Sequence, residues 1–173
     1  KEKKFTPFSR LSSAFVELFS AKGVLETVVE TPTGPLSVFN THLHSPAWFF
    51  SQHIRLRQMK KMLGALSLVN GPSILAGDFN EDRMWEQKAF TSILEAAHFS
   101  PPMTVDEDLL PSYRLENEYV DIWINREKAS RRYDYIFIRA VDQLGFEVAS
   151  YEPVYVTPVL SDHDPVALTL SNT

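Results

Sequence analysis

The sequence predicts an α/β or α+β fold with mixed strand pairing, arranged in layers. Three observations support this prediction. Strand and helix patterns alternate in the first part of the chain, strand patterns dominate later, and 44 % of the 173 residues are hydrophobic, which is enough apolar material for one core. No repeat or linker-like stretch interrupts the chain. We therefore expect one domain that covers residues 1–173.

The first elements are a predicted β-hairpin and a predicted amphipathic helix. β-Branched residues fill Val24–Glu30, the turn sequence TPTGP follows, and a second strand pattern covers Leu36–Leu43. Such a pair of strand patterns around a turn cluster indicates an antiparallel hairpin. Between Ser51 and Val69, apolar residues recur at spacings of three and four, which is the period of a helix with one apolar face. Gly71 and Pro72 would end that helix.

The remaining elements are a short strand, a second helix and three further strands. Ser73–Ala76 reads as a short buried strand, and Met84–Ala97 as the second helix. Residues 100–130 are irregular, with one turn of helix expected at VDIWI (residues 120–124). The last three predicted strands are Tyr133–Arg139, Phe146–Val156 and Val166–Leu170.

Charge and composition narrow the classes of function. With 17 basic and 22 acidic residues the formal charge is -5, which argues against non-specific binding to polyanions and leaves room for a local basic groove. The chain has no cysteine, so disulfides, thiolate zinc sites and cysteine nucleophiles are excluded, and oxygen or imidazole has to hold any metal. No apolar run reaches the ~18 residues of a membrane-spanning helix. The chain begins without Met or a secretory signal pattern, so we expect it to come from a longer parent.

Polar residues cluster at the ends of four predicted strands, in NTHLH, GDFN, RRYDYIF and SDHDPV. Taken alone, Asp78 fits an ordinary turn and His42 a half-buried histidine. Asp134 fits an ion pair with a neighbouring arginine, and Asp162 another turn. Their joint occurrence in one small domain instead predicts a functional site at one rim of the sheet. The candidate residues are Asn40, His42, Asp78, Asn80, Asp134, Asp162 and His163.

This set of side chains suits the hydrolysis of a phosphoester. Carboxylates are hard oxygen ligands, which favour Mg²⁺ or Mn²⁺. A histidine oriented by an aspartate can take a proton from water near neutral pH. An amide and a second histidine can donate to the charge that develops on the phosphoryl oxygens. Nothing in the set acts as a covalent nucleophile, so we expect direct attack by water.

In their order along the chain, NTHLH, GDFN, DYIF and SDHDPV resemble the motifs of the endonuclease/exonuclease/phosphatase superfamily, whose members are deoxyribonuclease-like, metal-dependent phosphoesterases. Residues 54–58, IRLRQ, also resemble the family's Arg-x-x-Gln sequence, here Arg55 and Gln58. The resemblance implies a layered β-sandwich flanked by helices and a magnesium or manganese cofactor. It also implies a phosphoester substrate, which is nucleic acid, a sphingomyelin-type lipid or an inositol phosphate.

The resemblance implies a role for each candidate residue around the GDFN turn. Asp78 would position the attacking water and bind the metal, with Asp162 beside the metal or its water. Asn80 would contact the scissile phosphate, and His42 would donate to its oxygens. Phe79, between the two polar residues of the turn, would point to the opposite face and anchor the turn in the core.

The remaining roles and one deficit follow from the same resemblance. His163 would act as general base or phosphate stabiliser, held in its tautomer by Asp134, and Asn40 would support the site. The sequence FSR at Phe8–Arg10 resembles the strand that follows the family's metal-binding Glu, so the chain would match only the later two thirds, roughly, of a family domain. Without that Glu we expect the isolated chain to be a poor catalyst or an inactive one.

Two other functions and two surface features stay open at this point. The chain could be a non-catalytic binding module with the same fold; a glycosidase built on paired acids fits the histidines poorly. Residues 45–50, SPAWFF, would contact lipids or bases, or would staple the next helix to the core. Basic side chains would line a phosphate-tracking groove or be ordinary solvated charges. These basic residues are Lys60, Lys61, Arg131 and Arg132.

Overall fold

The structure is a computed structural model that describes residues 3–8, 22–45, 50–103, 111–117, 119–120 and 129–173. Within these residues it contains seven strands and two α-helices, with short 3-10 turns at Met84–Glu86 and Val141–Leu144. The strands are β1 (Lys3–Pro7), β2 (Gly23–Thr31), β3 (Gly34–His42), β4 (Ser73–Asp78), β5 (Asp134–Arg139), β6 (Phe146–Pro153) and β7 (Val166–Asn172). The helices are α1 (Ser51–Leu66) and α2 (Lys88–Ala96).

The strands form two sheets with mixed pairing, which confirms the predicted fold class. The larger sheet has the order β1-β2-β3-β4-β5, and β6 and β7 form a separate two-stranded sheet. β3 and β4 are parallel, whereas the other neighbours in both sheets are antiparallel. Parallel neighbours need a crossover connection, and α1 provides it between β3 and β4. The predicted hairpin is β2 and β3.

The central strands carry apolar side chains on both faces of the sheet. Successive side chains alternate between the two sides, and consecutive residues of these strands are apolar. One row of cross-strand neighbours belongs to the main core with α1 and α2: Phe39, Leu75 and Phe137. The row one residue along faces the other side: Val38, Ile74 and Ile138. Phe146 of β6 packs into the cluster on that second side. The Tyr151 hydroxyl of β6 accepts a hydrogen bond from the backbone N–H of Ile136, so the small sheet lies against β5.

The two helices differ from their predicted limits for local reasons. α1 ends at Leu66 rather than Val69, and the Ser67 hydroxyl donates to the Leu63 carbonyl at 2.8 Å where the helix stops. The predicted helix Met84–Ala97 is broken at Gln87, which is extended. The Gln87 side chain donates to Glu81 at 2.6 Å and to a backbone carbonyl at 3.0 Å, and these bonds hold it outside the helix.

The strand predicted at Phe8–Arg10 is described only at Phe8. β1 occupies Lys3–Pro7, and Phe8 follows it with its ring buried in the main core. The backbone N–H of Phe8 donates to the carbonyl of Lys22 at 2.8 Å. Ser9 and Arg10 lie outside the described residues, as do residues 121–124 of the expected VDIWI turn.

The last two strands also shift at their ends. β6 stops at Pro153 rather than Val156, and one further hydrogen bond to the β7 side follows it, from the N–H of Val154 to the carbonyl of Pro165 at 2.7 Å. β7 continues to Asn172. In the described part of the chain, no helix is both long and apolar enough to cross a membrane.

Candidate functional site

Three candidate residues lie side by side at the ends of three adjacent strands. His42 ends β3, Asp78 ends β4 and Asp134 begins β5. The strand register pairs His42 with Asp78, and Asp78 with Asp134. His42 follows Val38 by an even number of positions, so alternation places the row on the sheet face opposite the helices. Adjacent strands are ~4.8 Å apart, and the three polar side chains are therefore direct neighbours.

The loop before β7 brings the fourth residue to this row. His163 Nδ1 lies 2.6 Å from Asp134 Oδ2. Ligand atoms of Asp78, Asp134 and His163 all lie within 4.8 Å of one another. On the other side of the row, His42 Nε2 is 3.5 Å from Asp78 Oδ2. Residues far apart in the sequence are thus brought together at one edge of the large sheet.

The GDFN turn has a backbone that only this kind of sequence permits. Gly77 has φ +150°, and a Cβ at this position would lie 1.9 Å from the Thr41 carbonyl oxygen, so β3 and β4 approach too closely for any side chain. Asp78 Oδ1 accepts the N–H of Asn80 at 2.8 Å, as in an Asx turn. Asn80 is left-handed (φ 52°), and its Nδ2 donates to the Leu43 carbonyl at 3.2 Å. Glycine and asparagine are the residues that such φ values favour.

Phe79 anchors this turn in the core, as the sequence predicted. Its side chain is fully buried. The ring packs edge-on against Tyr135, with centroids 6.0 Å apart, and against Phe137, at 5.2 Å. Burial of one aromatic ring between two polar residues fixes the direction in which those polar residues point.

His163 is enclosed by aromatic rings as well as by hydrogen bonding. The Tyr113 ring meets the imidazole edge-on at 5.4 Å between centroids, and the Tyr133 ring lies at 6.0 Å. These contacts restrict the rotation of the imidazole, so the ring keeps one nitrogen directed at Asp134.

Every candidate residue predicted from the sequence lines one cavity of about 890 Å³. These lining residues are Asn40, His42, Asp78, Asn80, Asp134, Asp162 and His163. Asn40 and Asp162 are exposed. Asp162 Oδ1 accepts a hydrogen bond from the Ser161 hydroxyl at 3.2 Å. The structure therefore brings all seven residues to one cavity, with Asp78, Asp134 and His163 as its close group.

Asp78 lies in an environment that opposes its ionisation. Burial, followed by the negative charge of Asp134, raises the pKa of Asp78 from 3.8 to about 6. The charge of His163, the N–H of Asn80 and the charge of Lys22 act in the opposite direction. At pH 7 Asp78 is mainly a carboxylate, with a pKa close enough to neutrality for proton exchange.

His163 lies in an environment that favours its protonated form. Burial alone would lower its pKa, but the hydrogen bond and the charge of Asp134 outweigh burial. The charges of Asp78 and Asp162 add to this effect, and the pKa of His163 rises from 6.5 to about 9. At neutral pH the metal-free protein therefore holds an imidazolium beside a carboxylate.

The close group has the chemistry of a hard divalent-ion site. Mg²⁺ binds one or two carboxylates and keeps several waters, and Asp78 and Asp134 offer two carboxylates in reach of one position. The ligands predicted from the sequence were Asp78 and Asp162. The structure groups Asp78 with Asp134 and His163, and Asp162 is an exposed residue of the same cavity, so its role as a ligand stays a prediction.

Arg55 and Gln58, which resembled a family motif, are buried supports of the site. Arg55 binds Glu81 through two nitrogens, with Nη2–Oε2 at 2.5 Å and Nε–Oε2 at 2.7 Å, so it fixes the chain just after Asn80. Gln58 Oε1 accepts the backbone N–H of His44 at 2.8 Å, which fixes the chain just after β3. Both side chains thus hold α1 to the two turns that carry the site.

The four basic residues considered for a phosphate groove lie away from the described lining of the cavity. Arg131 pairs with Asp82 at 2.8 Å, and Arg132 is buried with its guanidinium over two tyrosine rings. Lys60 and Lys61 are exposed on α1. None of the four is among the described residues that line the cavity.

The aromatic stretch before α1 is described only at its ends. Residues 46–49 lie outside the described part of the chain. Phe50 is 73 % exposed where α1 begins, so this residue does not staple the helix start to the core. Contact of the stretch with lipids or bases stays a prediction.

Lys22 is a cavity residue that the sequence analysis missed. Its Nζ donates to the Leu43 carbonyl at 2.6 Å, the same oxygen that accepts from Asn80. Among the described lining residues it is the one with a lysine or arginine side chain. A lysine at the start of a strand is too common to be singled out from one sequence.

Comparisons with known proteins give structural matches but no sequence match. No protein-family model matches the chain, and a search of curated proteins finds no relative. An endonuclease/exonuclease/phosphatase from Beutenbergia cavernae matches with a TM-score of 0.71 and 20 % identity, covering 99 % of this chain and 45 % of its own. Sphingomyelinase C from Streptomyces griseocarneus matches with 0.66 and 19 %, covering 95 % and 62 %.

A third solved structure shares the fold and contains a metal. It is a double mutant of beta toxin from Staphylococcus aureus with bound magnesium ions, matched with a TM-score of 0.67 and 20 % identity over 96 % of this chain and 63 % of its own. This chain thus spans between 45 and 63 % of the length of the three structures. Over nearly all of its own length, the chain has the deoxyribonuclease-like fold of endonuclease/exonuclease/phosphatase proteins, sphingomyelinase C and beta toxin.

Proposed function

We propose that this chain carries the site of a metal-dependent phosphoester hydrolase that uses direct attack by water. The single observation that supports this proposal most is the close group of Asp78, Asp134 and His163 in the cavity that also holds His42 and Asn80. The fold comparison points the same way, since the matched proteins include an endonuclease/exonuclease/phosphatase and a sphingomyelinase. The magnesium in the beta toxin structure suits the same choice of ion.

In this proposal Asp78 positions the attacking water. Its carboxylate accepts a hydrogen bond from the water and takes the proton as the water oxygen bonds to phosphorus and the ester oxygen leaves. Without a bound ion the pKa of Asp78 is about 6, so at pH 7 its carboxylate is ionised and accepts the hydrogen bond of the water. The leaving oxygen takes a proton and departs as an alcohol, so the products are an alcohol and a phosphate with one ester bond fewer.

Two roles are open to His163, general base and phosphate stabiliser, and in this proposal it acts mainly as the stabiliser. With a pKa of about 9 it already carries its proton at neutral pH, so it donates from Nε2 to a phosphoryl oxygen or to the leaving group. Asp134 holds Nδ1 and keeps Nε2 directed into the cavity. His42 and Asn80 would add donors to the other phosphoryl oxygens, and Asn40 would support the exposed side.

Asp78 would hold a bound Mg²⁺ or Mn²⁺ together with Asp134 or Asp162. The ion would neutralise the charge that develops on the phosphoryl oxygens. The substrate class stays among nucleic acids, sphingomyelin-type lipids and inositol phosphates. The alternative is a phosphate-binding module without turnover, because the chain spans only part of the length of the matched proteins.

Turnover of an aryl phosphodiester with Mg²⁺ tests the proposal. Because the chain spans only part of the length of the matched proteins, we expect slow bis(p-nitrophenyl) phosphate hydrolysis that EDTA abolishes, and further losses of about 100-fold or more in Asp78→Asn and in His163→Gln. His98→Gln is the matched control, since His98 is exposed and is not among the described residues lining the cavity. Unchanged rates in the first two variants would overturn the assigned roles. Phosphate binding by calorimetry without any turnover would favour the binding module.

A further inference from the structure

The segment 111–117 is fixed to the start of β5, where Asp134 lies. The Ser112 hydroxyl accepts the backbone N–H groups of Tyr133 and Asp134, each at 3.1 Å. The backbone N–H of Ser112 also donates to the Arg131 carbonyl at 3.0 Å. Two hydrogen bonds to consecutive amides set the position of Asp134 relative to this segment.

The same segment holds the loop that carries His163. The carbonyl of Ser112 accepts the N–H of Asp164 at 2.7 Å, and Asn117 Nδ2 donates to the carbonyl of Ser161 at 2.9 Å. Arg114 binds the Asp164 carboxylate with both ends of its fork, Nε–Oδ2 at 2.6 Å and Nη2–Oδ1 at 3.2 Å. One short segment therefore binds both partners of the His163–Asp134 pair.

The Arg114–Asp164 pair is the strongest of these links. Asp164 is only 4 % exposed, and a buried carboxylate without a partner is costly, so its position depends on the arginine. The two-pronged geometry fixes direction as well as distance. The Arg114 guanidinium also lies 4.2 Å from the centre of the Tyr155 ring, which limits its own movement.

We propose that Arg114 is a positioning residue for the phosphoester chemistry, because its pair with Asp164 holds His163 in hydrogen bond with Asp134. This inference rests on the proposed function and adds to it a residue outside the motifs. Arg114 is not among the described residues that line the cavity, so it acts through the loop and not on the substrate. Removing it frees Asp164 to turn toward solvent, and the loop then carries His163 away from Asp134.

The test compares three variants of the full chain. Arg114→Gln removes the charge and the fork, Arg114→Lys keeps the charge but loses the fork, and Arg83→Gln is the control, since Arg83 forms an exposed pair with Glu86 outside both segments. The first readout is the NMR signal of the proton on His163 Nδ1 in metal-free protein at pH 6.5, identified by its loss in His163→Gln. The second is kcat and KM with an aryl phosphodiester and Mg²⁺.

We expect the Nδ1 proton signal to move upfield or vanish in Arg114→Gln and to weaken in Arg114→Lys. We also expect kcat to fall about 10- to 100-fold with KM within about twofold of the parent, as for a misplaced reacting group. Arg83→Gln should change neither readout. A folded Arg114→Gln with the parental signal and kcat overturns the proposal, and Arg114→Lys decides by the same criteria if the glutamine variant does not fold. If the parent shows no turnover, the proposed function fails, while the NMR readout still decides the role of Arg114.

Discussion

At the scale of single residues, the site holds a carboxylate, Asp78, in a position where its charge lowers the stability of the folded protein. Asp78 is a half-buried carboxylate next to Asp134, and its pKa is raised to about 6 by burial and by that neighbouring charge. An environment that raises the pKa of a carboxyl group makes its ionised form costly to the folded state. The side chain suits chemistry on a phosphate better than it suits stability.

We therefore predict that Asp78→Asn stabilises the metal-free protein. The folded pKa of about 6 lies above the ordinary value of 3.8, so the contribution of Asp78 to stability is fully present below pH 3.8 and is lost as the pH rises through 6. Asparagine has no charge to bury and can still accept the N–H of Asn80. Urea unfolding in EDTA at pH 7 should give a free energy of unfolding roughly 1–3 kcal/mol above the parent. A variant less stable than the parent at pH 7 would contradict this account.

The contribution of His163 to stability also decreases as the pH rises. Its folded pKa of about 9 lies above 6.5, so its stabilising contribution is complete below pH 6.5 and disappears as the pH passes 9. We expect the free energy of unfolding in EDTA to fall by roughly 2–3 kcal/mol more in the parent than in His163→Gln between pH 6.5 and 9.5. Parallel pH profiles of the two proteins would show that the Asp134 pair does not hold the proton.

At the scale of elements, the close contact between β3 and β4 sets the alignment of the site. β4 ends at Asp78, beside the end of β3 at His42, and Gly77 allows the two backbones to meet there. The short strand predicted at Ser73–Ala76 missed this extension, because Gly and Asp are both rare inside strands. By contrast, the β2–β3 hairpin was predictable, since its β-branched runs flank an ordinary turn cluster.

Gly77→Ala should therefore disrupt the site through the backbone. A Cβ at Gly77 meets the Thr41 carbonyl oxygen, so β4 has to move away from β3 and the His42–Asp78 row is lost. We expect a loss of stability of about 2–4 kcal/mol and loss of turnover. Gly64→Ala is the matched control, because nothing lies within 4 Å of a Cβ there and alanine should stabilise α1 by about 0.5–1 kcal/mol. Thermal unfolding and phosphodiesterase assays compare the two, and equal stability in both variants would contradict the steric argument.

At the scale of the whole molecule, the sequence predicted what is periodic or what repeats a motif. Alternation and helical spacing gave the layers, and the polar strand ends gave all seven candidate residues of the cavity. The place of Lys22 in the cavity was not predicted, because a single lysine forms no recognisable pattern. The role of segment 111–117 was not predicted either, because its hydrogen bonds join irregular backbone to two distant parts of the chain, and no local spacing indicates such contacts. The start of the second helix was predicted wrongly, because the hydrogen bond from the Gln87 side chain to Glu81 outweighs the local helix preference at Gln87.

The row of His42, Asp78 and Asp134 is spaced by the hydrogen-bond ladder of three strands, not by loops. The spacing of these three side chains is therefore set by the hydrogen-bonded backbone of the strands that carry them. A protein engineer could exchange surface connections other than the loop that carries His163 to recruit a new phosphoester, while the spacing of His42, Asp78 and Asp134 stays as it is.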